Sequence, residues 1–275
     1  MIGNVLGGYL GDTLQFGFGL GEVLSLQITL LIGVGIAALG LIPVLMYSDD
    51  GGMAPKSVTR EPMPLREAAK RHKSSLQVIG LFALLGLLSS TAGGMVVPYL
   101  NVYFADRFEV SKTVIGVVVS LGQGATALAY LLGPAISRRI GEAKAVVLLQ
   151  LSSIPFLLLT GYTTNFYLAS AGYLFRQALM NAANPFYNTV KMKYVDRSLR
   201  GLASSSGEAM FNLGWFIAAP ISTGLVSRWG PYYGYAYTFT ITAVVYSIIS
   251  LLFYLFFGKE RFRSAEEPES PERSV

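Results

Sequence analysis

Polar side chains recur at helical spacing inside an otherwise apolar segment, residues 167–188. The segment contains a single arginine, Arg176, which is followed by four carboxamides. These are Gln177, Asn181, Asn184 and Asn188, at spacings of 4, 3 and 4 residues. Such spacings place side chains on one face of a helix. A charged group inside a membrane is costly unless it faces protein or water. The face is therefore predicted to line a polar cavity for a solute or a proton.

The same amides also fit a structural role, because they can join two membrane helices through contacts worth about 0.6 kcal/mol each. A cavity is favoured since Arg176 needs a polar environment that such contacts alone do not supply.

A second polar face is predicted on the apolar segment 203–227. Its members are Ser204, Glu208, Asn212 and Trp215. At a rise of about 1.5 Å per residue, Glu208 lies level with Asn184, and Asn212 lies level with Asn181. Asn212 is therefore added to the predicted cavity. Glu208 lies within one or two turns of the membrane boundary, so both proton coupling and snorkelling to nearby basic residues remain open for it.

Composition indicates a membrane protein built of helices. The mean hydropathy is +0.50, and only 13% of the residues are charged, about half the fraction usual in soluble domains. Apolar blocks long enough to cross a bilayer recur along the chain. The predicted spans are 24–46, 76–104, 113–136, 143–161, 165–190, 203–227 and 234–257. Spans 24–46, 143–161 and 234–257 contain no charge and are expected to be peripheral or to face lipid.

Basic residues predict the orientation. Seventeen Lys and Arg residues lie in the loops on one side and in the tail, against three in the opposite loops. The positive-inside rule predicts a cytoplasmic C-terminus, and the cytoplasmic membrane is the expected location. Topology also accounts for the net charge of +5, so no nucleic-acid partner is expected.

The residue inventory disfavours metal and enzyme chemistry. The chain has no cysteine, and His72 is its one histidine. Thiolate and multi-histidine metal sites, and a histidine-based catalytic triad, are therefore not expected. We predict no cofactor, no metal, no catalytic residue and no enzymatic activity.

Several motifs resemble the major facilitator superfamily of transporters. Residues 2–8 (IGNVLGG) are similar to the glycine pattern of its fifth helix, and 49–75 are similar to its long central loop. Residues 133–141 (GPAISRRIG) resemble the basic signature between its eighth and ninth helices. Residues 197–204 (RSLRGLAS) and 212–224 resemble its eleventh helix. Within the basic signature, Arg138 stands where an acidic residue is common.

The resemblance implies an all-α, polytopic membrane helical bundle: the C-terminal six-helix half of that fold, plus helix 6 and a partial helix 5. The implied divisions are 1–47 (remnant of the N-terminal half), 48–75 (central cytoplasmic loop), 76–258 (six-helix half) and 259–275 (a disordered cytoplasmic tail). The resemblance also implies a gating loop containing Arg138, Arg139 and Gly141. A missing N-terminal half is expected to be needed for function.

The function expected from these observations is secondary transport of a small solute by alternating access, with a proton as a possible coupling partner. Arg176 and the amide face would bind the solute in this interpretation. The alternative is a membrane fragment that does not transport, or a module that binds a partner within the bilayer. The substrate, the direction of transport and the coupling ion are not legible in the sequence.

Overall fold

The computed structural model describes residues 2–46 and 73–258, and those residues contain helices but no strand. The α-helices are α1 (Ile2–Asp12), α2 (Glu22–Leu39), α3 (Leu41–Met46), α4 (Lys73–Gly94), α5 (Leu100–Phe108), α6 (Lys112–Ile140), α7 (Glu142–Tyr162), α8 (Phe166–Ala182), α9 (Asn184–Lys193) and α10 (Arg200–Phe253). The predicted surface helix within 49–75 and the predicted disordered tail 259–275 lie outside the described residues.

The chain divides into two compact units. One consists of residues 1–71 and 111–120, and the other of residues 72–110 and 121–275. Helix α6 runs through both, because its first turns belong to the first unit and the remainder to the second.

In the first unit, glycines let α1 approach the start of α6 closely. A Cβ atom at Gly8 would collide with the carbonyl of Lys112, and one at Gly116 would collide with the carbonyl of Asn4. Small residues at these positions therefore allow backbone-to-backbone packing, as in other membrane helix pairs. Helix α2 is almost wholly exposed and apolar, as expected of a helix that faces lipid.

The side chain of Asp12 caps α6 from a different part of the chain. Its carboxylate accepts hydrogen bonds from the backbone N–H groups of Lys112 (3.2 Å) and Thr113 (2.7 Å) and from the Thr113 hydroxyl (2.6 Å). These N–H groups have no partner within their own helix, and the helix dipole favours an anion there. Partial burial raises the pKa of Asp12, but the hydrogen bonds from Thr113 and Lys112 outweigh it and hold the pKa below its usual value of 3.8.

The second unit is built on the packing of α4 against α10. Gly214 lies so close to α4 that a Cβ atom there would be 2.8 Å from the Thr91 nitrogen and 2.9 Å from the Leu87 oxygen. Buried hydroxyls join the same two helices, since Ser222 donates to the Met95 carbonyl (2.8 Å) and Thr242 donates to the Ala92 carbonyl (2.9 Å). Hydroxyl-to-carbonyl bonds satisfy polar groups that the membrane cannot.

Arg107, at the end of α5, joins three segments of the second unit. Its guanidinium donates to the carbonyls of Tyr232 (3.2 Å) and Thr163 (3.0 Å). It also lies 4.0 Å from the centre of the Tyr232 ring, a cation–π arrangement. One side chain thus holds the ends of α5 and α7 against α10.

Five helical stretches within the described residues are long and apolar enough to cross a membrane: 22–43, 73–108, 112–140, 142–162 and 197–258. The sequence analysis predicted seven spans. The stretch 197–258 includes two of the predicted spans, separated by a break at Gly230, whose φ of 74° is left-handed and favours glycine.

The predicted span 165–190 is divided at Ala183 into α8 and α9. Pro185 supplies no N–H to the helical ladder, which explains the interruption there.

Candidate functional site

A cavity of about 360 Å³ opens within the second unit. Its lining comes from α4, α7, α8, α9 and α10. The polar and charged members of the lining are Ser89, Ser90, Gln150, Arg176, Gln177, Asn181, Asn184, Lys191 and Glu208. The larger apolar and aromatic members are Phe82, Val97, Met180, Tyr187, Phe211, Trp215 and Tyr246.

Arg176 is the most buried charge in this lining, with 4% of its surface exposed. Its Nη1 donates to Gln177 Oε1 (3.1 Å) and its Nη2 donates to the Tyr246 hydroxyl (3.4 Å). Its Nε has no hydrogen-bond partner, and no carboxylate lies within ion-pair distance of its guanidinium among the described residues. The guanidinium therefore has neutral partners and unused donors beside a cavity.

The amides that follow Arg176 continue along the cavity across the break between α8 and α9. Asn184 donates to Asn181 Oδ1 (3.3 Å), and Asn181 donates to the Thr126 hydroxyl on α6 (3.4 Å). These contacts leave some hydrogen-bonding capacity in each amide, since each carries two N–H groups and an acceptor oxygen.

Lys191 and Glu208 place one charge of each sign on the same lining. Lys191 is half-buried near the end of α9, and its Nζ lies close to Gly207 on α10. Glu208, the next residue of α10, is exposed.

The structure brings five of the predicted residues to the cavity: Arg176, Gln177, Asn181, Asn184 and Glu208. Asn188 and Asn212 are exposed and do not belong to the lining. Asn212 donates to the carbonyl of Glu208 in its own helix (2.9 Å). The residues of α9 that do line the cavity are Asn184, Tyr187 and Lys191, so the cavity-facing side of α9 passes beside Asn188 and leaves it exposed.

Two lining residues come from helices that the sequence analysis expected to be peripheral, and that expectation was wrong for these faces. Gln150 of α7 is 7% exposed and accepts a hydrogen bond from Ser250 (3.0 Å). Tyr246 of α10 is buried beside Arg176. Gln150 and Tyr246 were missed because their helices are apolar on average. The lone glutamine in an apolar span was nevertheless a usable indication of a polar contact.

Arg138 and Arg139 occupy the exposed last turn of α6, and Gly141 connects α6 to α7. Gly141 has a φ of 84°, which a side chain rarely tolerates. It borders a second hollow of about 420 Å³, together with Glu142, Lys144 and Lys193. A role for this loop in gating stays a prediction. Within the described residues, no group of three or more His, Cys, Asp or Glu side chains is placed to hold a metal ion.

Comparison with protein families gives a match to the Major Facilitator Superfamily over residues 82–275. Because the match covers most of the chain, the protein belongs to the major facilitator superfamily of transporters. It is accordingly a multi-pass, all-α membrane protein of a class that transports small solutes. The comparison with curated proteins gave no match.

Proposed function

We propose that the cavity around Arg176 is the solute-binding site of a secondary transporter that works by alternating access. The observation that carries this proposal is the convergence of Arg176, Gln177, Asn181 and Asn184 on one cavity. A face of this polarity needs water or a polar ligand beside it, because lipid satisfies none of these groups.

Arg176 is the principal solute ligand in this proposal. Its neutral partners hold the guanidinium in place, and its remaining N–H groups are available to an incoming solute. The amides supply donors and acceptors that fix the orientation of the solute, as a few polar groups do in most binding pockets.

Glu208 is proposed as the group that couples transport to a proton, because it is the one carboxylate in the described lining. Its exposure also suits pairing with basic residues at the membrane surface. Replacing Glu208 with Gln separates the two roles, since proton coupling would be lost whereas the loss of a surface pairing would leave it intact.

The direct test uses the absence of cysteine from the native chain, so that each introduced thiol is unique. Asn181→Cys and Asn184→Cys should react with a membrane-impermeant, water-borne thiol reagent in membranes. The matched controls are Leu131→Cys and Phe216→Cys, at apolar positions that are 77% and 78% exposed. These controls should face lipid and react slowly, because a thiolate does not form in hydrocarbon.

Equal and slow labelling of all four variants would show that the cavity is not aqueous and would contradict the transport site proposed here. Protection of Asn181→Cys by a transported solute would place that solute in the cavity. A second test is functional: in a full-length context, Arg176→Ala should abolish transport while membrane insertion stays intact, and wild-type transport by this variant would exclude Arg176 from the mechanism.

A further inference from the structure

We infer that the solute bound in this cavity is a small organic anion: an oxyanion such as a carboxylate attached to an apolar body. The inference rests on the proposed function, because it assigns a chemical class to the ligand of the same site. It depends on the charge of the lining, the geometry of Arg176 and the nature of the opposite walls.

The charge of the lining favours an anion. Arg176 and Lys191 are cationic and Glu208 is anionic, so the described lining carries a net positive charge. Arg176 is buried and has no carboxylate partner among the described residues. An uncompensated charge in such a site is costly, and a bound anion offsets that cost.

Arg176 also has the donors that an oxyanion requires. A guanidinium carries five N–H groups in a planar fork. Gln177 and Tyr246 accept from two of its nitrogens, and the buried Nε donates to no described residue. The unused donors match a two-point contact with a carboxylate, and such charge-assisted bonds are stronger than those made with a neutral group.

The remaining walls are apolar and aromatic, which does not suit an inorganic ion. Phe82 and Tyr187 pack edge to face with ring centres 5.1 Å apart, and Phe211 lies beside Trp215 at 5.3 Å. Hydrated sulfate or phosphate would leave these surfaces without a partner, whereas an apolar body would cover them. The volume of about 360 Å³ is at the small end of the range for ligand pockets. A neutral sugar would match the amides but would leave Arg176 uncompensated.

The test uses the two tryptophans of the chain. Trp215 lines the cavity and Trp229 does not. In the purified full chain carrying Trp229→Phe, Trp215 is the one indole reporter. Four probes are titrated: cyclohexanecarboxylate, its neutral isostere cyclohexanecarboxamide, sodium sulfate and glucose. The carboxylate and the carboxamide differ little in shape, so their comparison isolates the charge.

The expected result is a saturable fluorescence change with cyclohexanecarboxylate and at least about tenfold weaker binding of the carboxamide, since charge-assisted hydrogen bonds are lost. Arg176→Gln should weaken carboxylate binding by about 100-fold and leave the carboxamide nearly unchanged. Arg176→Lys should recover part of the loss, because an ammonium keeps the charge but not the fork. Lys191→Gln, at a half-buried position of the lining, should weaken carboxylate binding a few-fold. Arg228→Gln, at an exposed arginine outside the lining, should have no effect.

Three results would overturn the inference. Carboxamide or glucose binding as tight as the carboxylate would show that charge does not select the solute. Binding of sulfate as tight as that of the carboxylate would show that the apolar walls do not contribute to the choice of solute. No saturable response to any of the probes would exclude a small organic anion of this size. In each case the thiol-labelling test still decides independently whether the cavity is an aqueous transport site.

Discussion

In the proposed function, Arg176 would favour solute binding at the expense of stability. Its guanidinium is almost completely buried and contacts neutral oxygens. Burying a charge that has no ionised partner is costly, and an apolar side chain of similar length avoids that cost. Arg176→Met should therefore raise the free energy of unfolding by about 1–2 kcal/mol while removing solute binding. Thermal unfolding in detergent measures the first effect, and solute binding or transport measures the second. A large loss of stability in Arg176→Met would show instead that Arg176 holds the bundle together.

Arg176, Gln177, Asn181 and Asn184, which the spacing assigned to one face, all line the same cavity in the structure. The spacing did not distinguish Asn188, which is exposed, from its neighbour Tyr187, which lines the cavity, because two adjacent positions can both fit a spacing of 3 or 4 residues. Gln150 was missed for a different reason. Its helix is apolar overall, and only tertiary packing decides which face of an apolar helix meets a cavity.

At the scale of helices, packing of α4 against α10 depends on Gly214. Gly214→Ala would drive a methyl group into backbone atoms of Thr91 and Leu87. The free energy of unfolding should fall by about 1–3 kcal/mol, the usual cost of overpacking. Gly224→Ala is the matched control on the same helix, because no atom lies within 4 Å of a Cβ there. The control should be neutral, or more stable by up to about 1 kcal/mol from improved helix propensity. Equal thermal stability of the two variants would contradict close packing at Gly214.

The cap that Asp12 forms on α6 should make the first unit sensitive to acid. The pKa of Asp12 lies below its usual value of 3.8, so its contribution to stability is fully present above about that pH. That contribution should be lost as the pH falls through the lower pKa of the folded state. Asp12→Ala should cost about 0.5–2 kcal/mol near neutral pH, as other lost helix caps do. Unfolding measured across an acid series should show the difference between wild type and Asp12→Ala shrinking as the pH falls. A difference that is independent of pH would mean that the carboxylate charge contributes nothing to the cap.

The sequence also predicted the number of helical stretches only in part. Apolar blocks and charged loops predicted separate spans before and after residue 230, and the structure connects these blocks by a break at a single glycine. Hydropathy locates apolar blocks, but whether a connection is a loop or a sharp turn depends on backbone angles at residues such as Gly230 and Pro231.

At the scale of the whole molecule, the distribution of basic residues predicts which loops face the cytoplasm. Thr164 lies between α7 and α8, and Ser198 lies between α9 and α10; both are exposed. In intact cells, an impermeant thiol reagent should label Thr164→Cys, whereas Ser198→Cys should react only after the membrane is permeabilised. The reverse pattern would invert the proposed orientation and the cytoplasmic position of the C-terminus.

The guanidinium of Arg107 has a mechanical consequence for the second unit. Because one side chain donates to the carbonyls of both Thr163 and Tyr232, moving either segment away from the other would break at least one of these hydrogen bonds. Separating the two segments would break several contacts at once, so we expect this end of the unit to move as a single rigid body. In the transport proposed here, movement of this end as one body would make the exit path of a solute open beside these segments and not between them.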